Sequence, residues 1–361
     1  MEKLQRMRKW AEAIKVFVFL IGLVLVLGMA NQVLSLKEYP VGPNVNITIS
    51  PYVLCEKVDG FYQKANNSLD VVFIGSSNVH CNVNPDEIWH EYGIASYDFT
   101  SDMQELGTSY YFLKQMFKTQ SPKAVVIDVL EGGDVDEISA LGAHFAFDHM
   151  KWDECKIAGI WNRTKSHRFE MFFPMTAYHE RWKVLKKNDY LYKPKAKNIL
   201  NGAFIYMPVM AFEEPVIPAS EDIPYMELPE RTERWLDLIS GECKRHGCDC
   251  IFMKTPFAAY DEKKFSYFEA VNRYCSQRGI PFLYLNRMGT EIGLDYATDY
   301  ADTDHMNWNG QRKLSSYIGK YLSERYNFTD KRKDEMYSEW NSDYERMKYH
   351  IDHFWTLYGN L

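Results

Sequence analysis

The sequence predicts an α/β protein. The expected architecture is a three-layer, doubly wound parallel sheet on one N-terminal transmembrane helix, with an irregular, mostly helical insertion and a C-terminal helix. Three observations carry this. Short apolar runs alternate with amphipathic segments of helical length between residues 70 and 326. Strands separated by helices that long pair in parallel, with helices on both faces. Val16 to Leu36 is a run of 21 uncharged residues behind a basic flank, and residues 131 to 229 break the alternation.

The N-terminus carries the plainest physical signal. Lys3, Arg6, Arg8, Lys9 and Lys15 occupy a flank, residues 1–15, and residues 16–36 follow as the anchor. That length spans a hydrocarbon core, and the positive flank predicts a cytoplasmic N-terminus. Everything beyond Lys37 is then expected outside a cell membrane crossed once. Gly28 and Ala30 also offer the small residues of a cleavable signal peptide, but the uncharged run is long for one. No lipobox cysteine follows. Residues 37–69, with Pro and Asn, read as a polar spacer.

Residues 70–326 form the expected domain, element by element. Asp70–Ile74 is a buried strand, and Pro85–Tyr92 is a helix with Pro near its first turn. Ala95–Phe99 is the second strand, before a helix from about Glu105 to Thr119. Lys123–Leu130 is the third strand. The insertion 131–229 holds Trp152, Trp161, the Tyr178–Trp182 cluster, a basic run from Lys183 to Lys197 and then Pro215, Pro218, Pro224 and Pro229. A lid or docking surface over the sheet's top edge is the expectation. Helices near Arg231–His246 and Glu262–Gln277 flank a strand at Cys250–Met253. Strand Pro281–Leu285 and helix Trp308–Arg325 complete the alternation. In the tail, 327–361, Met336, Trp340, Tyr344, Met347, Ile351, Phe354 and Tyr358 make one stripe at gaps of four and three. It suits packing on the domain or docking on a partner or membrane.

Bulk properties exclude several classes. A chain of 361 residues with 46% apolar content buries one large core plus an insertion. Net charge is −7 with no basic tract resembling a phosphate-binding surface, so no nucleic-acid partner is expected. No glycine-rich phosphate loop is present, and no cofactor is expected. His144, Asp148, His149 and Asp153 lack a convincing ligand spacing, so no metal is expected. Of the seven cysteines, most read as small buried side chains.

Two islands carry chemistry. Val71-Val72-Phe73-Ile74-Gly75-Ser76-Ser77-Asn78 is a strand that breaks at a tight turn, where a serine can present its hydroxyl above a sheet. Asp302-Thr303-Asp304-His305-Met306-Asn307-Trp308-Asn309-Gly310 is the other. A serine becomes a nucleophile when a histidine takes its proton and an acid orients that histidine. Of the ten histidines, only His305 has an aspartate three residues earlier. Both islands fall beyond carboxyl ends of strands, where parallel sheets bind ligands.

In order and surroundings the two islands resemble the SGNH/GDSL hydrolase superfamily, whose fold is flavodoxin-like. The resemblance runs from about Asp70 to Tyr326 and is strongest at both ends. It looks like the membrane-anchored branch, which includes the D-alanyl transfer proteins of teichoic acid synthesis and the alginate and cell-wall acetylation proteins. By position Ser77 matches the nucleophile, His305 the general base and Asp302 its orienting acid, with Ser76 replacing the usual Asp. The resemblance implies an oxyanion hole around Ser77, Asn78 and Asp102. The family's glycine after the second strand is missing, however, and so is its asparagine after the third. Tyr178-His179-Glu180-Arg181-Trp182 looks like a cluster of the anchored relatives. There His179 and Arg181 could hold a substrate phosphate or carboxylate, or tie the insertion to the domain. The implied function is an extracytoplasmic serine acyl esterase or acyltransferase with a cell-envelope glycopolymer or acyl donor as partner. The alternative is an inactive adaptor docking a membrane-bound O-acyltransferase.

Overall fold

A computed structural model describes residues 2–34, 54–131, 135–190 and 200–358. The chain forms two compact units, Met1–Lys37 with Ser166–Lys195, and Glu38–Lys165 with Ala196–Leu361. In chain order the elements begin with α1 (Glu2–Leu34), α2 (Leu54–Gln63), β1 (Val71–Ile74), α3 (Ser77–His80), α4 (Pro85–Tyr92) and β2 (Ser96–Asp98). Then come α5 (Leu106–Met116), β3 (Ala124–Asp128), α6 (Ala140–Phe147), α7 (Glu154–Arg163), α8 (Arg168–Phe172) and α9 (Lys187–Tyr190). The remainder are α10 (Glu230–Arg245), β4 (Asp249–Lys254), α11 (Glu262–Arg278), β5 (Phe282–Tyr284), α12 (Gly289–Ile292), α13 (Trp308–Arg325) and α14 (Ser338–Tyr358).

The larger unit is the expected three-layer α/β fold. Its sheet runs β2-β1-β3-β4-β5 with every pair parallel. Alternate residues of each strand face opposite layers. Val71, Phe73, Val126, Ile251 and Leu283 pack with Ile88 of α4 and Leu314 and Ile318 of α13. On the other face α5 covers β1, α10 covers β4 and α11 covers β5. β1 and β3 are short and buried on both faces, so each reads as a nearly continuous apolar run, and this made them legible. The order reverses between β1 and β3, and the loops there leave a crevice beyond the strand ends.

Sequence expectation and structure differ in two places, and in a third, the tail, the structure takes one of the two expected outcomes. Residues 35–53 lie outside the described residues, but the rest of the expected spacer belongs to the domain. Val58 and Phe61 of α2 are buried, and Phe61 stacks on Phe99 at 4.0 Å between ring centroids. Leu54, Val58 and Phe61 stand at helical spacing, but α2 is only ten residues long and follows the Pro- and Asn-containing stretch with which it reads as one spacer. The expected insertion is not one body. Its first part builds α6 and α7, with α7 packed on α5, and residues 200–212 return along the domain, where Met210 N–H donates to the Tyr300 carbonyl at 2.8 Å. Only the middle, 166–195, belongs to the other unit. The tail stripe packs on its own domain. Tyr344, Met347 and Ile351 are buried with Leu200, Ile205, Met207 and Trp308, and Trp340 lies 5.2 Å from Trp89. Phe354 and Tyr358 have side chains outside the description.

In the smaller unit α1 is one unbroken helix through both the basic flank and the apolar run, long and apolar enough to cross a membrane. Cys81, Cys155, Cys243, Cys248 and Cys275 are buried free thiols and Cys250 is half-buried. His144 pairs with Asp148 at 3.0 Å, and Asp153 caps α7.

Candidate active site

The site is built where β1 ends. Gly75 follows the strand with its Cα pressed against Asp128 of β3, so a Cβ there would meet Asp128 Cβ at 2.4 Å. That close approach brings Ser76 under the sheet's edge. Its hydroxyl donates to Asp128 Oδ2 at 3.0 Å and accepts the Asn78 N–H at 3.2 Å, capping α3. Ser76 is therefore a turn-fixing residue. Ser77 opens α3, half-buried, one position beyond that cap.

The second island arrives from the far end of the chain. Asn307 caps α13, accepting N–H bonds from Asn309 and Gly310 at 2.9 and 3.4 Å. Gly310 packs so closely on Asp299 that a Cβ would sit 2.3 Å from its carbonyl oxygen. With the helix start fixed in this way, His305 Nε2 lies 2.9 Å from Ser77 Oγ. His305 Nδ1 lies 2.8 Å from Asp302 Oδ2. Asp302 Oδ1 also accepts the Asp304 and His305 N–H groups, both at 2.9 Å. A carboxylate can only accept, so this network assigns the ring proton to Nδ1 and leaves Nε2 to accept the Ser77 proton. Burial alone would raise the Asp302 carboxyl. The bond and charge of His305 and the two backbone N–H groups outweigh it and hold Asp302 below its ordinary value. Asp304 turns elsewhere, 3.5 Å from Lys264.

The expected oxyanion residues surround Ser77 in different states. Asn78 is buried, and its N–H is used by Ser76. Among the described residues the Ser77 and Asp102 amides donate to no acceptor. The turn after β2 has no glycine, yet it enters the left-handed region at Met103, with φ at 56°, a conformation non-glycine residues adopt at some energetic cost. The Asp102 carboxylate lies 3.2 Å from Nε2 of the buried His80, whose Nδ1 is 2.9 Å from Thr100 Oγ1. Burial pushes Asp102 up to about 7, against the opposing charge of His305. Burial, then Lys57 and His305, push His80 well below its ordinary value. His80 is thus a neutral donor to Asp102. The exit of β3 offers Asp128 in place of an amide side chain. Burial raises Asp128, while the nearby buried Lys254 and the Ser76 bonds oppose that rise.

Two contributors were missed. Asn82 is fully buried and bridges the two islands, which its ordinary sequence context did not reveal. Tyr206 comes from the expected insertion, with its ring centroid 5.9 Å from that of His305 and its carbonyl accepting the Trp308 N–H at 2.8 Å. Burial, then the Cys81, Asp302 and Asp102 charges, raise its hydroxyl. No motif spacing marked it. His179 and Arg181 belong to the smaller unit, where His179 Nδ1 lies 2.7 Å from the Thr176 carbonyl and Arg181 pairs with Asp189 at 2.5 Å. Ser77, Asp302 and His305 all belong to the larger one. Among the described residues no cluster of His, Cys, Asp and Glu is arranged for a metal ion.

The sequence matches no protein-family model and no curated protein sequence. Among solved structures it is similar to a Bacteroides fragilis protein described, by inference, as an acylhydrolase. That match has a TM-score of 0.38 and 12% identity, covering 74% of this chain and 94% of the other. It is also similar to an acetyl xylan esterase of the rumen bacterium Butyrivibrio proteoclasticus. Here the TM-score is 0.31 with 8% identity, over 72% of this chain and 64% of the other. Both scores are too low to transfer any property to this chain.

Proposed function

We propose that the protein is a membrane-anchored, extracytoplasmic serine acyl esterase or acyltransferase of the SGNH type, acting on cell-envelope glycopolymers. The observation that carries this is the unbroken relay from Asp302 through His305 to Ser77 at the carboxyl edge of a parallel sheet. His305 takes the Ser77 proton as Oγ attacks an acyl carbonyl, and Asp302 holds the imidazole in the tautomer that can do so. The oxyanion that forms is met by the Ser77 and Asp102 amides, which have no competing acceptor. His305 then returns the proton to the departing alkoxide, leaving the acyl group on Ser77. Water or a sugar hydroxyl, deprotonated by the same imidazole, takes the acyl group in the second half. The anchor and envelope location rest on α1 and its basic flank.

A fluorophosphonate probe applied to the full-length protein tests the site. Labelling should be lost in Ser77→Ala; labelling that survives would sink the assignment. Protease added to intact protoplasts tests the topology, and a protected domain would place the same chemistry in the cytoplasm. A second reading has one observation behind it. The β3 exit holds Asp128 where an amide donor would stand, and such a donor is worth about 3 kcal/mol of barrier. A protein without that donor would serve as an adaptor for a membrane-bound O-acyltransferase. Folded wild-type protein that resists the probe would favour that reading.

A further inference from the structure

The smaller unit holds a surface of its own. Residues 166–190 pack onto the last turns of α1 through the segments Pro174–Thr176, His179–Lys183 and α9. Two hydrogen bonds fix the level of that contact. The Met175 N–H donates to Asn31 Oδ1 at 2.9 Å, and the Arg181 guanidinium donates to the Leu34 carbonyl at 2.6 Å. The apolar run of α1 ends at Ala30. At 1.5 Å of rise per residue, the attachment lies within about 2–6 Å of that end.

The same segment exposes large apolar side chains. Phe169 and Trp182 are each 67% exposed, Val184 is 65% and Tyr190 62%. Phe173, just past the end of α8, is also exposed, with its ring 5.0 Å from that of Phe169. Water is a poor solvent for that many large apolar side chains in 25 residues. The residues between them are basic on balance, with five Lys or Arg against three Asp or Glu from 166 to 190, in a chain whose net charge is −7. Aromatic rings beside Lys and Arg, at the depth where a span ends, are what the headgroup boundary of a bilayer selects.

We infer that residues 166–190 form a collar lying in the outer-leaflet headgroup region of the bilayer that α1 crosses. Phe169, Phe173 and Trp182 are immersed at the acyl boundary, and Lys186 and Lys187 face anionic headgroups. The collar fixes how the outer end of α1 is held at the membrane surface. It rests on the reading of α1 as a membrane span.

The test uses the full-length protein in nanodiscs of phosphatidylcholine and phosphatidylglycerol, with and without brominated acyl chains. Trp182 is read as the difference in emission between wild type and Trp182→Phe. Brominated lipid should quench that difference signal, and aqueous acrylamide should not. Phe169→Asp with Phe173→Asp should reduce the lipid quenching while leaving the chain in the disc. A Trp182 open to acrylamide and untouched by brominated lipid overturns the collar. One shielded from both overturns it too, because protein then covers the patch, either a second copy or another membrane protein. Alkaline carbonate separates the two readings. Release of the wild-type chain from membranes overturns the span and the collar together, whereas retention with an unquenched Trp182 overturns the collar alone.

Discussion

Asn82 Oδ1 accepts the N–H of Met306 at 2.7 Å, joining a residue five positions after Ser77 to the one that follows His305. Its Nδ2 donates to the Asp304 carbonyl at 3.1 Å and to Thr255 Oγ1 at 3.2 Å. Both peptide neighbours of His305 therefore hang on one buried amide. Asn82→Ala should strand that N–H and that carbonyl without partners, costing about 1–3 kcal/mol of stability. The loosened imidazole should lower kcat by roughly 10²-fold with KM little changed, the scale of a displaced catalytic group. Steady-state kinetics beside thermal unfolding check this. A loss of stability with kcat intact would make Asn82 a packing contact only.

The relay itself makes a sharper demand. Ser77→Ala and His305→Ala should each cost about 10⁶-fold in kcat, and the double variant little more than either, because the two act in one step. Asp302→Asn should cost about 10⁴-fold by favouring the wrong tautomer. Asp304→Asn should be nearly silent, since that carboxylate faces Lys264. Ester hydrolysis by the five variants, the double included, reads all of this, and fully additive losses for Ser77 and His305 would break the shared step.

The glycines of the two islands are explained by space. Ala at 75 would place its Cβ 2.8 Å from Val79 Cγ2 as well as against Asp128. Ala at 310 would meet the Asp299 backbone. Each substitution should destabilise the domain by about 1–3 kcal/mol and move the serine or histidine it supports. Gly241, in α10, has open space around its Cβ position. Gly241→Ala should be neutral or stabilising by up to about 1 kcal/mol. Denaturant unfolding of the three variants decides it, and equal effects would remove the steric account.

These comparisons show why some of the molecule was legible in the sequence. β1 and β3 are largely apolar runs buried on both faces, and the Ser77 and His305 islands carry their turn residues, caps and glycines locally, so position alone placed them. Asn82 and Tyr206 act through contacts at sequence separations of about 100 to 220 residues, as between Asn82 and Met306 or Tyr206 and Trp308. Neither has a local pattern to reveal it. The insertion reads as one body because all of 131–229 breaks the strand–helix alternation, while its two ends fold into the domain and its middle does not. A boundary of that kind is set by packing partners elsewhere in the chain.

Asp102 offers a test with a definite sign. Its carboxyl has a pKa near 3.8 in an unfolded chain and is pushed up to about 7 by burial in the folded domain. Between those values the folded state holds a proton that the unfolded state has released, so stability falls as pH rises through the window, and the full penalty stands above about 7. Asp102→Asn keeps an oxygen to accept the His80 N–H and keeps the backbone amide, but removes the charge. The variant should therefore be more stable than wild type at pH 8, by an amount on the order of 1–4 kcal/mol. The gap should shrink as pH falls through the window and close below about pH 3, where the wild-type carboxyl is protonated in both states. Asp59, raised to about 6, and Glu87, raised to about 7, slope the same way. Both proteins share them, so only the difference between the two unfolding curves is read. A wild type more stable than Asp102→Asn at pH 8 would mean that the ionised carboxylate is held by His80 strongly enough to overcome its burial.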